Sequence, residues 1–383
     1  MIYSGSLNKS SGNLAGDKRI LYNPERLNIN RDTNTNRGDI EMKKKNLRIL
    51  AAMDGSDQAL NAVRYISGVF PPERTEVVLF HVNPDVPESF LDLGKGDLGK
   101  DAVLHSTVEN ISSWSTHLKK EIDKFMERAH TILVEANFPP DTVKIKVQSR
   151  KVGIARDILK ESGIDIAEGR EILLTESQYS QVVLPKEANE KYDALVIGRT
   201  GMSKVHLVHM GSIANKLVGK TPHIPIAVVG GHPETGKVII GFDGSEDAMR
   251  AVDCVGKLMS SPQREAMVCH VIRPLNIHMG IKRIFQPGEE TRWAESKEKE
   301  IEPLLNEATK RLIDGGFSPD RVHKEIQTGK KSRAKGIITR AATGGYGTIA
   351  MGRQGLTKVE EFYIGRVSTK VLHMAKKMAV WIV

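Results

Sequence analysis

The chain has 383 residues, enough for two or three domains with a sizeable core, and its 39% hydrophobic and 27% charged residues describe a globular protein. No apolar run approaches the roughly 18 residues that cross a bilayer, and no apolar block follows a basic start in the first twenty residues, so neither a membrane span nor a secretory leader is expected. The net charge of +9 admits anionic partners. Apart from Lys43–Lys45 the basic residues are interspersed with acidic ones, and 5% aromatics provide no base-stacking platform, so nucleic acid and membrane are not expected as partners.

Residues 1–41 are rich in Asn, Ser, Gly, Arg and Asp and show no apolar period. Such a stretch cannot offset its own ordering entropy. It reads as a disordered leader, or as an extension of the reading frame upstream of a start at Met42.

From Met42 onward the chain is written twice. LRILAAMDGSDQALNAVRYI (47–66) matches KVIIGFDGSEDAMRAVDCVG (237–256), and VVLFHVNP (77–84) matches AMVCHVIRP (266–274). TVKIKVQSRKVGIARDIL (142–159) matches RVHKEIQTGKKSRAKGII (321–338), and YDALVIGRTG (192–201) matches YGTIAMGRQG (346–355). Both copies close on a short apolar run, 224–229 and 378–383. Ordered self-similarity of this length indicates a duplication, with domains over 42–231 and 236–383.

Strands are expected near 47–53, 75–82, 142–148, 193–198 and 224–229, then near 237–242, 265–271, 321–327, 347–352 and 378–382. Long helices are expected near 109–137 and 289–314. The alternation predicts two α/β domains, each a five-stranded parallel sheet of order 3-2-1-4-5 with helices on both faces. Between the third helix and fourth strand the first copy carries about 25 extra residues, near 162–186. That connection lies at the end of the sheet opposite a ligand, and offers either a partner surface or a plain elaboration.

The sequence GRTGMSKVHLVHMGS (198–212) holds Gly198, Gly201 and Gly211 at a spacing repeated by Gly352, Gly355 and Gly365. Each set runs from the end of the fourth strand to the start of the last helix. Glycines permit close backbone approach, and free amides at a helix start attract anions, which outlines a phosphate cradle. Ser212 can cap that helix or offer its hydroxyl to a phosphate. The second copy has Arg366 there, with Ser368 two residues on as a displaced hydroxyl. Asp54 and its counterpart Asp243 end the first strands, beside the fourth. Each can accept from a ribose or lie near a metal, can cap the helix that follows, or can combine these roles.

The Asp-Gly-Ser after strand one, the G-x2-G-x9-G-[ST] after strand four and the His-Val of strand two resemble the universal stress protein family over Leu47–Val383. The resemblance implies tandem Rossmann-like domains binding ATP, with or without Mg2+. It implies Asp54 at the ribose, Ala52 along the nucleotide edge, Val82 reading adenine, and Gly198, Arg199, Gly201, Gly211, Ser212 and Ile213 around the phosphates. Asp243, Val271, Gly352, Gly355, Gly365, Arg366 and Ser368 form the second set, in which Arg366 departs from the motif. The resemblance further implies that the two copies pair through their last strands as an internal pseudo-dimer, and leaves open whether two chains also pair.

Other signals are weaker. GKT (219–221) precedes a strand and lacks the glycine of a phosphate-binding lysine loop. His206 and His209 lack further metal ligands, so no metal site is expected. His81 and His270 read as satisfied, partly buried strand histidines. Cys254 and Cys269 cannot build a disulfide framework and read as buried thiols in a reducing cytoplasm. No catalytic set emerges. A nucleotide-dependent regulatory module with an unknown protein partner and a slow ATPase or phosphotransferase both remain open.

Overall fold

The computed structural model describes residues 46–83, 102–163, 191–201, 210–221, 224–275, 286–356 and 364–383. The first copy runs β1 (Leu47–Met53), α1 (Asp57–Val69), β2 (Thr75–Asn83), α2 (Ala102–Glu135), β3 (Val143–Ser149), α3 (Ile154–Glu161), β4 (Ala194–Gly198), α4 (Ser212–Lys220) and β5 (Ile226–Val229). The second runs β6 (Lys237–Gly241), α5 (Glu246–Met259), β7 (Glu265–Val271), α6 (Pro287–Asp314), β8 (Val322–Gln327), α7 (Arg333–Gly344), β9 (Thr348–Met351), α8 (Arg366–Met374) and β10 (Ala379–Ile382). The leader (1–41) and nearly all of the insertion (164–186) lie outside the described residues, as do His206 and His209.

The ten strands among the described residues form one sheet of order β3-β2-β1-β4-β5-β10-β9-β6-β7-β8. Each half is parallel and keeps the 3-2-1-4-5 order. The halves meet where β5 and β10 run antiparallel, pairing Val229 with Ala379 and Ile226 with Ile382. Each half-sheet is thereby extended by the other's last strand, so neither β5 nor β10 is left as an open edge.

The inner strands are apolar on both faces because helices cover both, whereas the edge strands β3 and β8 carry exposed polar residues such as Lys144 and Lys324. One core contains Ile49, Leu60, Ile66, Met126, Val252, Leu305 and Trp381, drawn from α1, α2, α5 and α6 and the strand faces beneath them. The other contains Leu50, Ile158, Leu217, Ile337 and Leu372, under α3, α4, α7 and α8. Both cores are continuous across the β5–β10 join. The alternation within β5 shows why: Ala227 and Val229 enter the first core, Ile226 and Val228 the second.

The Asp-Gly-Ser turns set the starts of α1 and α5. Gly55 has φ 84° and Gly244 φ 83°, a left-handed conformation that side chains resist. The chain then reverses so that Ser56 and Ser245 cap the helices, their hydroxyls accepting from the Ala59 and Ala248 amides.

Candidate functional site

The Asp-Gly-Ser turn and the glycine loop meet where β1 and β4 end side by side. Asp54 Oδ1 accepts from the Ser56 amide at 3.0 Å and its hydroxyl at 2.6 Å. Asp54 therefore holds the capping serine, while Ser56 itself caps the helix. The other oxygen faces the glycine loop, since a Cβ built at Gly201 would lie 2.7 Å from Asp54 Oδ2. Asp243 repeats this arrangement, with Oδ1 on Ser245 and Oδ2 accepting from the Leu356 amide at 3.3 Å.

The first glycine of each motif serves packing. A Cβ on Gly198 would stand 2.9 Å from the Gln58 carbonyl carbon, and one on Gly352 would stand 2.5 Å from that of Asp247. Glycine there lets β4 and β9 press against the first turns of α1 and α5. The third glycine closes the loop. The Gly211 amide donates to the Arg199 carbonyl and the Gly365 amide to that of Arg353, both at 2.8 Å.

Gly211 is also the N-cap of α4, and no side chain caps this helix. The first amides of the helix, from Ser212 to Ala214, have no acceptor within it. Ser212, read as either a cap or a phosphate-contacting hydroxyl, is not the cap: it is the first helical residue and is exposed. Gly365 and Arg366 repeat this at α8. Ala52 and Ile213 are half-buried against the second core, and Val82 and Val271 are buried at the ends of β2 and β7.

Three expectations need correction. Arg199 is not placed for phosphate. It is 4% exposed and crosses to the other half, donating to the carbonyls of Leu372 and Ala375. Ser368 is no displaced phosphate donor, because it is buried and its hydroxyl donates to the Gly352 carbonyl at 2.7 Å. His81 is not fully satisfied. Its Nδ1 is 2.8 Å from the Met53 carbonyl, to which only a protonated Nδ1 can donate. Nε2 is buried with no partner among the described residues. His270 likewise meets the Phe242 carbonyl. Its pKa is lowered by burial, against the pull of that bond.

The sequence matches the Universal stress protein family twice, over residues 45–230 and 234–383. The chain belongs to the universal stress protein family. A universal stress protein from Archaeoglobus fulgidus aligns with 88% of this chain and 97% of its own at 16% identity and a TM-score of 0.45. A family protein from Burkholderia pseudomallei aligns with 39% and 95% at 17% identity and a TM-score of 0.30. A universal stress protein in complex with cAMP aligns with 38% and 94% at 20% identity and a TM-score of 0.28. No curated protein matches the sequence. The chain is thus a tandem universal stress protein of Rossmann-like fold.

Both cysteines are buried free thiols, as expected, with burial pushing each up to about 12. Among the described residues no group of three or more His, Cys, Asp or Glu could hold a metal ion. No helix among them is long and apolar enough to cross a membrane.

Proposed function

We propose that the first copy, residues 42–231, binds ATP where β1 and β4 end, and that the protein is a cytoplasmic, nucleotide-dependent regulatory module for a protein partner. The observation that carries this reading is the α4 start, opened by Gly211 without a side-chain cap, beside the Asp54 carboxylate at Gly201. Amides at a helix start hold phosphate oxygens by hydrogen bonds and by the helix dipole. In this reading Asp54 Oδ2, which faces the glycine loop, accepts from ribose hydroxyls, while Oδ1 stays on Ser56. Val82 ends the neighbouring strand, where a base would lie, and Mg2+ would neutralise the phosphates from the solvent side.

Turnover is the second reading. Asp54 is the carboxylate at this cleft, and one of its oxygens is already spent on the turn. Such a group holds a sugar more readily than it activates water. Asp54→Asn keeps the turn contact and removes the charge. ATP affinity is expected to fall by about tenfold, the scale of one charge-assisted bond, with hydrolysis at background in both proteins. Loss of a measurable hydrolysis rate with affinity unchanged would establish the enzyme instead.

A further inference from the structure

The two clefts differ in charge at several aligned positions. The first copy has Pro84 after β2, Ile154 opening α3 and Ser212 opening α4. The second has Arg273 after β7, Arg333 opening α7 and Arg366 opening α8. Three arginines have been gained at the ligand end of the sheet, while Arg150 has given way to Gly329 and the glycine loop carries Glu360 and Glu361 in place of His206 and Leu207.

The placement of the three arginines is unfavourable in the free protein. Arg333 and Arg366 are each the first residue of a helix, where the dipole repels a cation. Arg333 is further opposed by desolvation and by the nearby Arg273, which lower its pKa, while Asp243 acts the other way. Asp243 offsets part of this, while its two oxygens accept from Ser245 and Leu356. Its Oδ2 lies under Gly355, and a Cβ on Gly365 would stand 3.6 Å from the Gly355 amide. Arg366 follows Gly365 directly, as the first residue of α8. His270 is held toward its neutral form by burial, and Lys330 and Lys331, exposed before α7, add positive charge. An anion relieves all these repulsions together.

Arg333 also changes what the cleft can read. Its Nε donates to the Val271 carbonyl at 3.4 Å. Val271 is the counterpart of Val82, so a guanidinium stands where, on the ATP reading of the first cleft, a base would be recognised. Ile154 has no donor to offer there.

We infer that the second cleft binds a compact polyphosphate anion without recognising an adenine base, through Arg273, Arg333 and Arg366. The probe is inorganic tripolyphosphate, titrated calorimetrically into the full chain carrying Gly211→Val to disable the first cleft. One site per chain is expected. Restoring the first-copy residues by Arg333→Ile or Arg366→Ser should weaken it at least about tenfold each. ATP should compete no better than tripolyphosphate, and adenosine not at all. Arg366 is exposed, so Arg366→Ser can also be measured in the otherwise unaltered chain, where a tenfold weaker site is again expected. Unchanged affinity in both arginine variants, displacement by adenosine, or no binding of tripolyphosphate would overturn the inference. Failure of the ATP reading would look different: tripolyphosphate would bind as described, while the unaltered protein would bind adenosine and ATP no better than the Gly211→Val variant.

Discussion

The Arg199 guanidinium, on the loop after β4, donates to the carbonyl of Leu372, in the last helix of the other half, at 2.5 Å. A second bond reaches Ala375 at 3.0 Å. Arg353 returns the arrangement, donating to Val218 at 2.8 Å and Thr221 at 2.6 Å. Each arginine thus caps the C-terminal end of the helix whose N-terminal end opens the opposite glycine cradle. The carbonyl end of a helix carries negative partial charge, which suits a buried cation. Burial alone brings Arg199 to about 10, and burial, partly opposed by Asp247, does the same for Arg353.

Removing either clasp should destabilise the protein strongly. Arg353→Ala strands two buried carbonyls and leaves a void, at a cost of about 2–4 kcal/mol in urea unfolding. Arg199→Lys should recover less than half of the equivalent loss, because an ammonium cannot fork across two carbonyls three residues apart. Full recovery by lysine would show that charge alone matters.

The glycines should separate packing from binding. Gly198→Ala drives a Cβ to 2.9 Å from the α1 backbone, whereas Gly211→Ala meets backbone only at 3.4 Å. The first should cost about 2 kcal/mol or more, and the second under about 1 kcal/mol. Gly201→Ala pushes on the Asp54 carboxylate, so its main effect should be on ATP affinity. Thermal melts paired with ATP titration distinguish the three.

A buried polar chain also crosses the join between halves. Trp381 Nε1 donates to the Tyr65 hydroxyl at 2.8 Å, and Tyr65 shares a 2.9 Å bond with Thr348. Tyr65→Phe leaves the fully buried indole N–H unpaired and should cost about 1–3 kcal/mol. Tyr65→Phe with Trp381→Phe should cost less than the sum of the two single variants, as a double-mutant cycle would show.

Glu161 predicts an acid limb. It is buried, and that desolvation raises its pKa. Donation from Lys146, Lys191 and Tyr192 outweighs burial and leaves the carboxyl below its usual 4.5. A depressed carboxylate contributes stability that is fully present above 4.5 and is lost as pH falls through the lower, folded value. The stability difference between the unaltered protein and Glu161→Gln should be flat above 4.5 and shrink below it. A difference unchanged to the lowest pH at which the fold survives would remove Glu161 from the acid response.

The inner strands were legible in the sequence because they are apolar runs bounded by turns, as in LRILAAM, and duplication gave every strand, including the more polar β3 and β8, a second reading. The meeting of Asp54 with Gly201 followed from strands one and four being neighbours. The direction of Arg199 did not follow. A cation beside a glycine cradle suggests phosphate, and only the antiparallel β5–β10 join brings a foreign helix end within its reach. The available hint was that Arg199 and Arg353 persist in both copies while Ser212 and Arg366 diverge. Ser368 misled because a hydroxyl near a helix start resembles a ligand group, whereas the helical turn carries it inward to the Gly352 carbonyl. Arg333 was missed because its aligned partner, Ile154, carries no chemistry and drew no comparison.

The central claim is that the first cleft, opened by the uncapped α4 start, holds ATP tightly and that the second does not recognise its base. Equilibrium dialysis of the purified full chain against ATP and Mg2+ tests it most directly, with Gly211→Val and Gly365→Val measured in parallel. The account predicts one tightly held ATP per chain, abolished by Gly211→Val and retained in Gly365→Val. No bound ATP, or binding that survives Gly211→Val and is lost with Gly365→Val, would contradict it.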